Sequence, residues 1–333
     1  MSILQAELKL YKAAQNSDTA GSNGGVASYN EIVTSVNNNL LPDVSQAQRV
    51  AGVTQFRKAF FKNLNAAELV LLNTRIFVEN YTPADDAVYF HAGNDTNLQS
   101  ALTGSENLYG CGKLDANVSA AATTMTVLIE QPSPQFFRNG DVIRISDKAT
   151  IDGAGNEEFV TVSGAPSPAG SVITLTFTPA LANGYLATAA RVSNCYAYGS
   201  LGATVDTIVA TTVGSGDYDN ITYPAEGRNV GTVYDTWTLT FTSATAYNCV
   251  GALTGSLAAG STLSNYSPSN TNVSSPYFYL YGAGFTGAWQ AGDTMTFTTH
   301  PAHAPIWVKR IVPAGATAFS GDKVVIAVDG ETA

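Results

Sequence analysis

Short segments in which apolar and polar residues alternate recur along this chain and constrain its fold more than any other feature. In TTMTVLIE (123–130), SVITLTFTP (171–179) and DTWTLTFTS (235–243), apolar residues alternate with Thr or Ser. A two-residue period places successive side chains on opposite faces of a strand. Similar β-rich segments, bounded by Gly, Pro, Asn or Asp, lie at 157–164 and 323–330. The sequence therefore predicts an all-β protein.

Two sequence segments have the same order of residue types, FFRNGDVIRISD (136–147) and AWQAGDTMTFTT (288–299). Each has an aromatic residue, a short spacer, Gly-Asp and an alternating run. Gly140 and Gly292 can adopt positive φ without a Cβ penalty, and the following Asp can accept hydrogen bonds from neighbouring amides. Both phrases predict a tight turn that leads into a strand, produced either by a distant duplication or by convergence.

The length of 333 residues favours two or three stacked β-sandwich or β-barrel domains. Gly-rich stretches near residues 110 and 198 suggest the boundaries. We expect an N-terminal assembly or anchoring β-domain at 1–110, with room for a short helix. A small β-barrel or sandwich at 111–198 precedes a C-terminal β-sandwich at 199–333, which carries a long loop at 255–276.

The apolar stretch at 55–83 allows two interpretations. It fits two strands joined around Asn63-Leu64-Asn65, or one strand followed by a helix through AAELVLLNTRIF (66–77). The segment Ala66–Leu72 has good helix propensity, but TRIFVENY is rich in β-formers. We favour two strands. A further strand is expected around residues 6–10.

Charge is sparse and unevenly distributed. Only 13% of residues are charged, and the formal net charge is −10. Residues 1–82 carry seven Lys or Arg and six Asp or Glu, so the remainder is strongly acidic. Neutralising phosphates requires clustered Lys and Arg, so we expect no specific nucleic-acid binding. The many Thr, Ser, Asn and Gly residues favour a surface that packs against neighbouring subunits.

Motifs for cofactors and metals are incomplete. Gly282, Gly284 and Gly287 match the spacing of a dinucleotide fingerprint, but that motif needs a following helix, and a second turn follows here. His300 and His303 are three apart, yet neighbouring prolines disfavour the helix that would bring them together. We expect no cofactor-binding or metal-binding residues.

Acidic loops provide no clear catalytic site either. The loops at 152–158 and 214–220 hold carboxylates but do not match a calcium loop. The adjacent acids Asp85-Asp86 and Glu157-Glu158 lie in turn-like settings, where solvent exposure is usual, and no G-x-S-x-G nucleophile motif is present. We expect no catalytic residues and a non-enzymatic protein.

The three cysteines, Cys111, Cys195 and Cys249, are too widely spaced for a metal motif or a disulfide framework. We expect buried free thiols made in a reducing cytoplasm. The first residues lack a signal-peptide pattern, and no run of eighteen apolar residues occurs. The sequence therefore predicts no membrane insertion.

The segments QAQRVAGVTQFRKAFFKNLN (46–65), GDVIRISD (140–147) and HPAHAPIWVKRIVPAGA (300–316) resemble those of virion structural proteins of tailed bacteriophages. The resemblance covers nearly the whole chain and carries over no functional residue. It implies an N-terminal segment that anchors to the particle and β-domains that decorate or bridge subunits. The implied partners are copies of the chain itself and other virion proteins, and the implied location is the virion, after synthesis in the bacterial cytoplasm.

Within a virion, we expect a tail tube or tube-associated subunit that assembles through sheet edges, since an acidic surface would let DNA pass. Residues 55–90 are the expected source of a curved sheet and a long hairpin. One alternative is a capsid cement protein. Another is a receptor-binding or glycan-binding tip module whose aromatic residues stack on sugars, namely Tyr277, Tyr279, Tyr281 and Trp289.

Overall fold

The computed structural model describes residues 2–130, 133 and 135–332. Strands dominate the chain, and the prediction of an all-β protein with several sheets is confirmed. The first twelve strands are β1 Leu8–Gln15, β2 Gly24–Glu31, β3 Val53–Asn63, β4 Leu71–Asn80, β5 Ala87–Ala92, β6 Cys111–Leu114, β7 Thr124–Leu128, β8 Val142–Ser146, β9 Glu157–Val162, β10 Ser167–Ala169, β11 Val172–Thr178 and β12 Arg191–Leu201.

Many of the later strands are only two or three residues long. They are β13 Thr204–Val205, β14 Val209–Thr211, β15 Asp217–Tyr218, β16 Glu226–Gly227, β17 Asp235–Phe241, β18 Ala246–Gly251, β19 Gly255–Ser256, β20 Gly260–Ser261, β21 Ser269–Asn270, β22 Ser275–Pro276, β23 Phe278–Tyr279, β24 Phe285–Thr286, β25 Thr294–His300, β26 His303–Val312 and β27 Val325–Thr332. Short 3₁₀ turns occur at Gln5–Glu7, Ala20–Ser22, Gln99–Ala101 and Gly282–Gly284.

The short helix expected in the N-terminal part is α1, Gln46–Ala51. The Ser45 hydroxyl accepts a hydrogen bond from the Gln48 amide at 3.2 Å, and the Gln48 side chain accepts one from the Ser45 amide at 2.9 Å. This reciprocal capping satisfies two backbone donors at the helix start. Gly52, at φ +78°, ends the helix before β3.

An antiparallel five-stranded sheet forms the N-terminal lobe, in the order β2-β1-β3-β26-β5. The prediction of two strands within 55–83 is confirmed by β3 and β4. These strands do not pair with each other, however, so the expected hairpin across 55–90 is wrong. The Asn63 side-chain amide donates to Leu69 O at 2.7 Å and to Leu201 O at 3.0 Å, which fixes the crossing of the chain from one sheet to the next.

Six antiparallel strands close into a barrel in the middle of the chain, in the cyclic order β6-β7-β11-β9-β8-β12. β12 closes the ring because its first half pairs with β6 on one side and β8 on the other. Inward-facing residues such as Val127, Ile143 and Leu175 are fully buried. The alternation read from the sequence thus separates the barrel interior from its outer wall.

The second half of β12 leaves the barrel and pairs with β4, which in turn pairs with β27. One face of this layer contributes Ile76 and Val78 to the core of the N-terminal lobe. The opposite face places Phe77 and Cys195 against the outer wall of the barrel, beside Phe159. The layer β12-β4-β27 therefore joins the barrel to the N-terminal sheet.

A third sheet is built by β25, β17 and β18, with short strands along both sides. Its core is aromatic, and β19 and β20 of the 255–276 loop pair with β18. Trp237 is fully buried and donates its indole N–H to the Thr299 hydroxyl at 2.8 Å. This sheet and its loops, from Thr204 to His300, form the C-terminal lobe.

Residues 303–332 do not pair with the rest of the C-terminal domain that the sequence predicts at 199–333. β26 pairs with β3 and β5, and β27 pairs with β4, so both strands belong to the N-terminal half. Most residues of β26 are buried on both faces, including Ile306, Trp307 and Val308. Such a strand needs a sheet covered on both sides, which explains its return to the N-terminal lobe.

Each of the two Gly-Asp segments forms a turn, and the two turns have the same geometry. Gly140 and Gly292 have φ of +87° and +97°. The Asp141 carboxylate accepts the Arg138 amide at 2.9 Å, and the Asp293 carboxylate accepts the Gln290 amide at 2.9 Å. Each turn opens a strand, β8 or β25, as the sequence predicts.

Candidate functional site

The glycine fingerprint lies in tightly packed turns. Residues Gly282–Gly284 form a 3₁₀ turn, followed by the short strand β24 and no α-helix. A Cβ on Gly284 would lie 2.6 Å from the Tyr218 ring, and one on Gly287 would lie 1.8 Å from Ser215 O. These glycines are therefore explained by close packing of the backbone, and the site lacks the helix that a dinucleotide needs.

His300 and His303 lie on successive strands and bind different carboxylates. His300 is 3.3 Å from Asp206, and buried His303 pairs with Asp95. Burial lowers the pKa of His303, while the hydrogen bond to Asp95 opposes that shift. Among the described residues, no group of three or more His, Cys, Asp or Glu side chains is placed to hold a metal ion.

A buried lysine beside this pair escaped the sequence analysis. Lys58 is 2% exposed, and its ammonium donates to Gly25 O at 2.7 Å and Asn97 O at 3.0 Å. Burial lowers the pKa of Lys58 to about 7. These bonds fasten the start of β2 and the segment after β5 to β3, which is a structural role. In the sequence, the mixture of basic and aromatic residues in FRKAFFKN (56–63) was the signal that could have indicated a buried lysine here.

The two acidic loops are stabilised internally. In the first, Glu157 pairs with Arg144 and with Lys148 at 2.7 Å, and these cations lower its pKa against the effect of burial. In the second, Asp219 accepts the amides of Ile221 and Thr222 at 3.0 and 2.9 Å. The carboxylates therefore have protein partners in both loops.

The adjacent acids do not face each other. Asp85 accepts the Thr317 amide at 2.9 Å, whereas Asp86 is buried near Asp322, and burial together with Asp86 raises the pKa of Asp322 to about 6. Glu158 accepts the amide of Asn183 at 2.8 Å and the Tyr185 hydroxyl at 3.0 Å. The expectation that all four acids are exposed holds only for Asp85, because Asp86 is buried and Glu157 and Glu158 are half-buried.

The cysteines are free thiols. Cys195 and Cys249 are buried, and burial raises their pKa to about 12 and about 11. Cys111 is half-buried, and burial also raises its pKa. Thiolates are therefore disfavoured at all three positions, which makes them poor nucleophiles.

The aromatic residues proposed for sugar binding divide into two groups. Trp289 is 4% exposed and stacks on Phe241 with ring centroids 4.0 Å apart, and Tyr277 is 7% exposed. Both belong to the core of the C-terminal lobe, so the expectation that they form a binding platform is wrong. Tyr279 and Tyr281 are half-buried on the outer side of that lobe.

Two concave features stand out among the described residues. One is a cavity of about 10 Å³ beside Asp86 and Glu130, which is close to the size of a single water molecule. The other is an open cleft of about 400 Å³ between the lobes, lined by Glu68, Ala203, Thr204, Val205, Ala225, Glu226, Gly227 and Arg228.

β27 is an open edge strand. It pairs with β4 on one side, and on its other side no backbone-to-backbone hydrogen bond joins it to the described residues. Its first four residues, Val325–Val328, are apolar, and the strand contains neither Lys nor Pro. Natural edge strands are commonly protected by charged residues, Pro or β-bulges. β27 has two such features, namely Asp329 and Glu331 in its second half, and register shifts against β4 at Val325/Ile326 and Asp329/Glu331. The apolar segment Ile326–Val328 is the part of this edge that remains open to another strand.

Exposed apolar side chains occur in all parts of the molecule, and two of them lie in β27 or in the segment that leads to it. Val325 is 37% exposed and Phe319 is 52% exposed, and both lie in the C-terminal segment that follows β26. Exposed apolar residues are ordinary when single and informative when they accompany an open edge. Others in the N-terminal lobe are Leu4, Val33, Val36 and Val50.

Comparison with known proteins found no matching family model and no similar curated protein. Within the described residues, no helix is both long and apolar enough to cross a membrane.

Proposed function

We propose that this chain is a non-enzymatic structural subunit of a tailed-bacteriophage virion, a tail tube or tube-associated protein that assembles through strand edges. The observation that carries the proposal is the open edge of β27. Its unpaired backbone groups and its Val-Ile-Ala-Val start favour addition of a strand from a neighbouring subunit. Head-to-tail contacts of this kind close into rings or continue into filaments.

The charge distribution and the resemblance support the same proposal. A chain with 13% charged residues and a net charge of −10 has a weakly charged, acidic surface suited to packing and to passage of DNA. Two of the segments that resemble virion proteins, 46–65 and 300–316, contain β3 and β26, which pair over ten residues. The resemblance therefore falls on the central strands of the N-terminal sheet.

Placing positive charges on the open edge is expected to weaken assembly. In the double variant Val325→Lys/Glu331→Lys, both side chains are exposed, so the fold should persist while a second strand meets two lysines. Sedimentation velocity over a concentration series should show the midpoint of assembly raised roughly tenfold, equivalent to about 1.4 kcal/mol.

The matched control is Val213→Lys, because Val213 is 89% exposed but lies in the C-terminal lobe away from β27. It should assemble like the parent chain, and all variants should share one melting temperature. A parent chain that stays monomeric throughout the series, or a double variant that assembles normally, would contradict the role of this edge.

A further inference from the structure

Three half-buried tyrosines form a cluster on the outer side of the C-terminal lobe. The rings of Tyr279 and Tyr281 lie 4.8 Å apart in an edge-to-face arrangement, and the ring of Tyr223 lies 6.0 Å from that of Tyr281. The intervening and flanking residues Phe278 and Leu280 are fully buried. The strand alternation thus directs the tyrosines outward, away from the core.

Polar side chains hold these rings in place. The Tyr281 hydroxyl donates to Glu226, and Glu226 pairs with Arg228 at 2.8 Å. The Arg228 guanidinium lies over the Tyr279 ring, 5.4 Å from its centroid, and Asn265 donates to the Tyr279 hydroxyl. The rings are therefore fixed before any ligand arrives, which reduces the entropy lost on binding.

The cluster borders the open cleft between the lobes. Glu226 and Arg228 contribute both to the tyrosine cluster and to the lining of the cleft of about 400 Å³. That volume is within the range of small-ligand sites, which typically hold about 300–1,000 Å³. Glu68 lines the cleft on the side of the N-terminal lobe. Aromatic faces and planar hydrogen-bonding groups therefore lie side by side.

This combination fits a saccharide better than a protein side chain. A sugar ring presents C–H groups that pack on aromatic faces, and its hydroxyls pair with carboxylate and guanidinium groups. The rest of the cleft lining is small, including Ala203, Ala225 and Gly227, so it lacks the deep apolar pocket that a protein anchor residue would fill. Two carboxylates against one guanidinium disfavour an anionic sugar.

We propose that Tyr223, Tyr279 and Tyr281, together with Glu226 and Arg228, form a binding site for a neutral oligosaccharide. The site extends from the tyrosine cluster into the cleft. It differs from the sugar-binding set expected from the sequence, because Trp289 and Tyr277 are buried and Tyr223, Glu226 and Arg228 take their place. The proposal is independent of assembly through β27.

The test uses the full chain on a printed array of neutral, sialylated and sulfated glycans. We expect binding to one or more neutral glycans, weakened roughly tenfold by Tyr281→Ala and by Tyr223→Ala, since each removes one aromatic contact. Tyr281→Phe keeps the ring but loses the hydrogen bond to Glu226 that holds it, so its affinity should fall between those of the parent and Tyr281→Ala. Phe319→Ala removes an exposed aromatic ring elsewhere and should leave binding unchanged.

Melting curves of each variant show whether the fold is intact, and Tyr281→Phe separates loss of the ring from loss of its hydrogen bond to Glu226. Binding that disappears in the alanine variants and persists in Phe319→Ala would support the site. Absence of binding to neutral glycans, binding to anionic glycans alone, or binding that is insensitive to Tyr281→Ala and Tyr223→Ala would overturn it.

Discussion

A chain that ends after His300 is expected to lose its folded N-terminal sheet. The deletion removes β26, which pairs with β3 over ten residues and with β5 over six. It also removes the fully buried side chains of Ile306, Trp307 and Val308. Burial of each such side chain contributes about 1.5–3 kcal/mol, and domain stabilities are only about 5–15 kcal/mol. The remaining strands cannot compensate for that loss.

Limited proteolysis and size-exclusion chromatography of the truncated chain provide the measurement. The N-terminal lobe should be degraded or aggregated, while a fragment near 204–300 resists proteolysis because its main strands pair with one another. A truncation after Ala318 removes only the edge strand β27 and should have a milder effect. If the chain ending at His300 melts like the full chain, the assignment of β26 as a central strand is wrong.

Replacing Trp237 with Ala is expected to destabilise the C-terminal lobe by about 3–5 kcal/mol, the usual cost of emptying a buried tryptophan site. The ring is fully buried and lies 5.0 Å from Phe278 and 5.4 Å from Tyr277. Its indole N–H also donates to Thr299, so the hydroxyl of that residue loses a partner. Urea unfolding followed by circular dichroism measures the change.

The neighbouring residue supplies the control. Thr236 is exposed on the opposite face of β17, so Thr236→Ala should change stability by less than about 0.5 kcal/mol. Trp237→Phe fills part of the site and should fall between the two. Equal unfolding midpoints for Trp237→Ala and Thr236→Ala would show that this face of β17 is not the core of the lobe.

Local alternation and turn chemistry predicted much of the fold. The segment 235–243 alternates strictly, and β17 follows it with Trp237, Leu239 and Phe241 buried. The Gly-Asp phrases predicted both turns because the positive φ of glycine and the side-chain hydrogen bond of Asp depend on a few neighbouring residues. Features determined within about ten residues could therefore be read directly.

Strand partners could not be read in the same way. β3 and β26 are separated by more than two hundred residues, and the period of a strand indicates its faces but not its neighbour. The hairpin expected within 55–90 failed for this reason, because β4 pairs with β12 and β27. The buried pattern of HPAHAPIWVKRIV was a signal for a central strand, without indicating which sheet.

Surface clusters were the least predictable features. Trp289 and Tyr281 looked equivalent in the sequence, yet Trp289 stacks on Phe241 in the core and Tyr281 faces outward. Glu226 and Arg228 join Tyr281 only because β16 pairs with β23. A site assembled across several short strands leaves no spacing pattern in the chain.

The central claim is that the chain is a structural component of a virion. Quantitative mass spectrometry of virus particles purified from bacterial cultures that produce this chain tests that proposal most directly. The account predicts that intact chain copurifies with the particles in multiple copies per particle, and that cross-links join β27 to a neighbouring subunit. A chain that is abundant in infected cells but missing from purified particles would contradict the account.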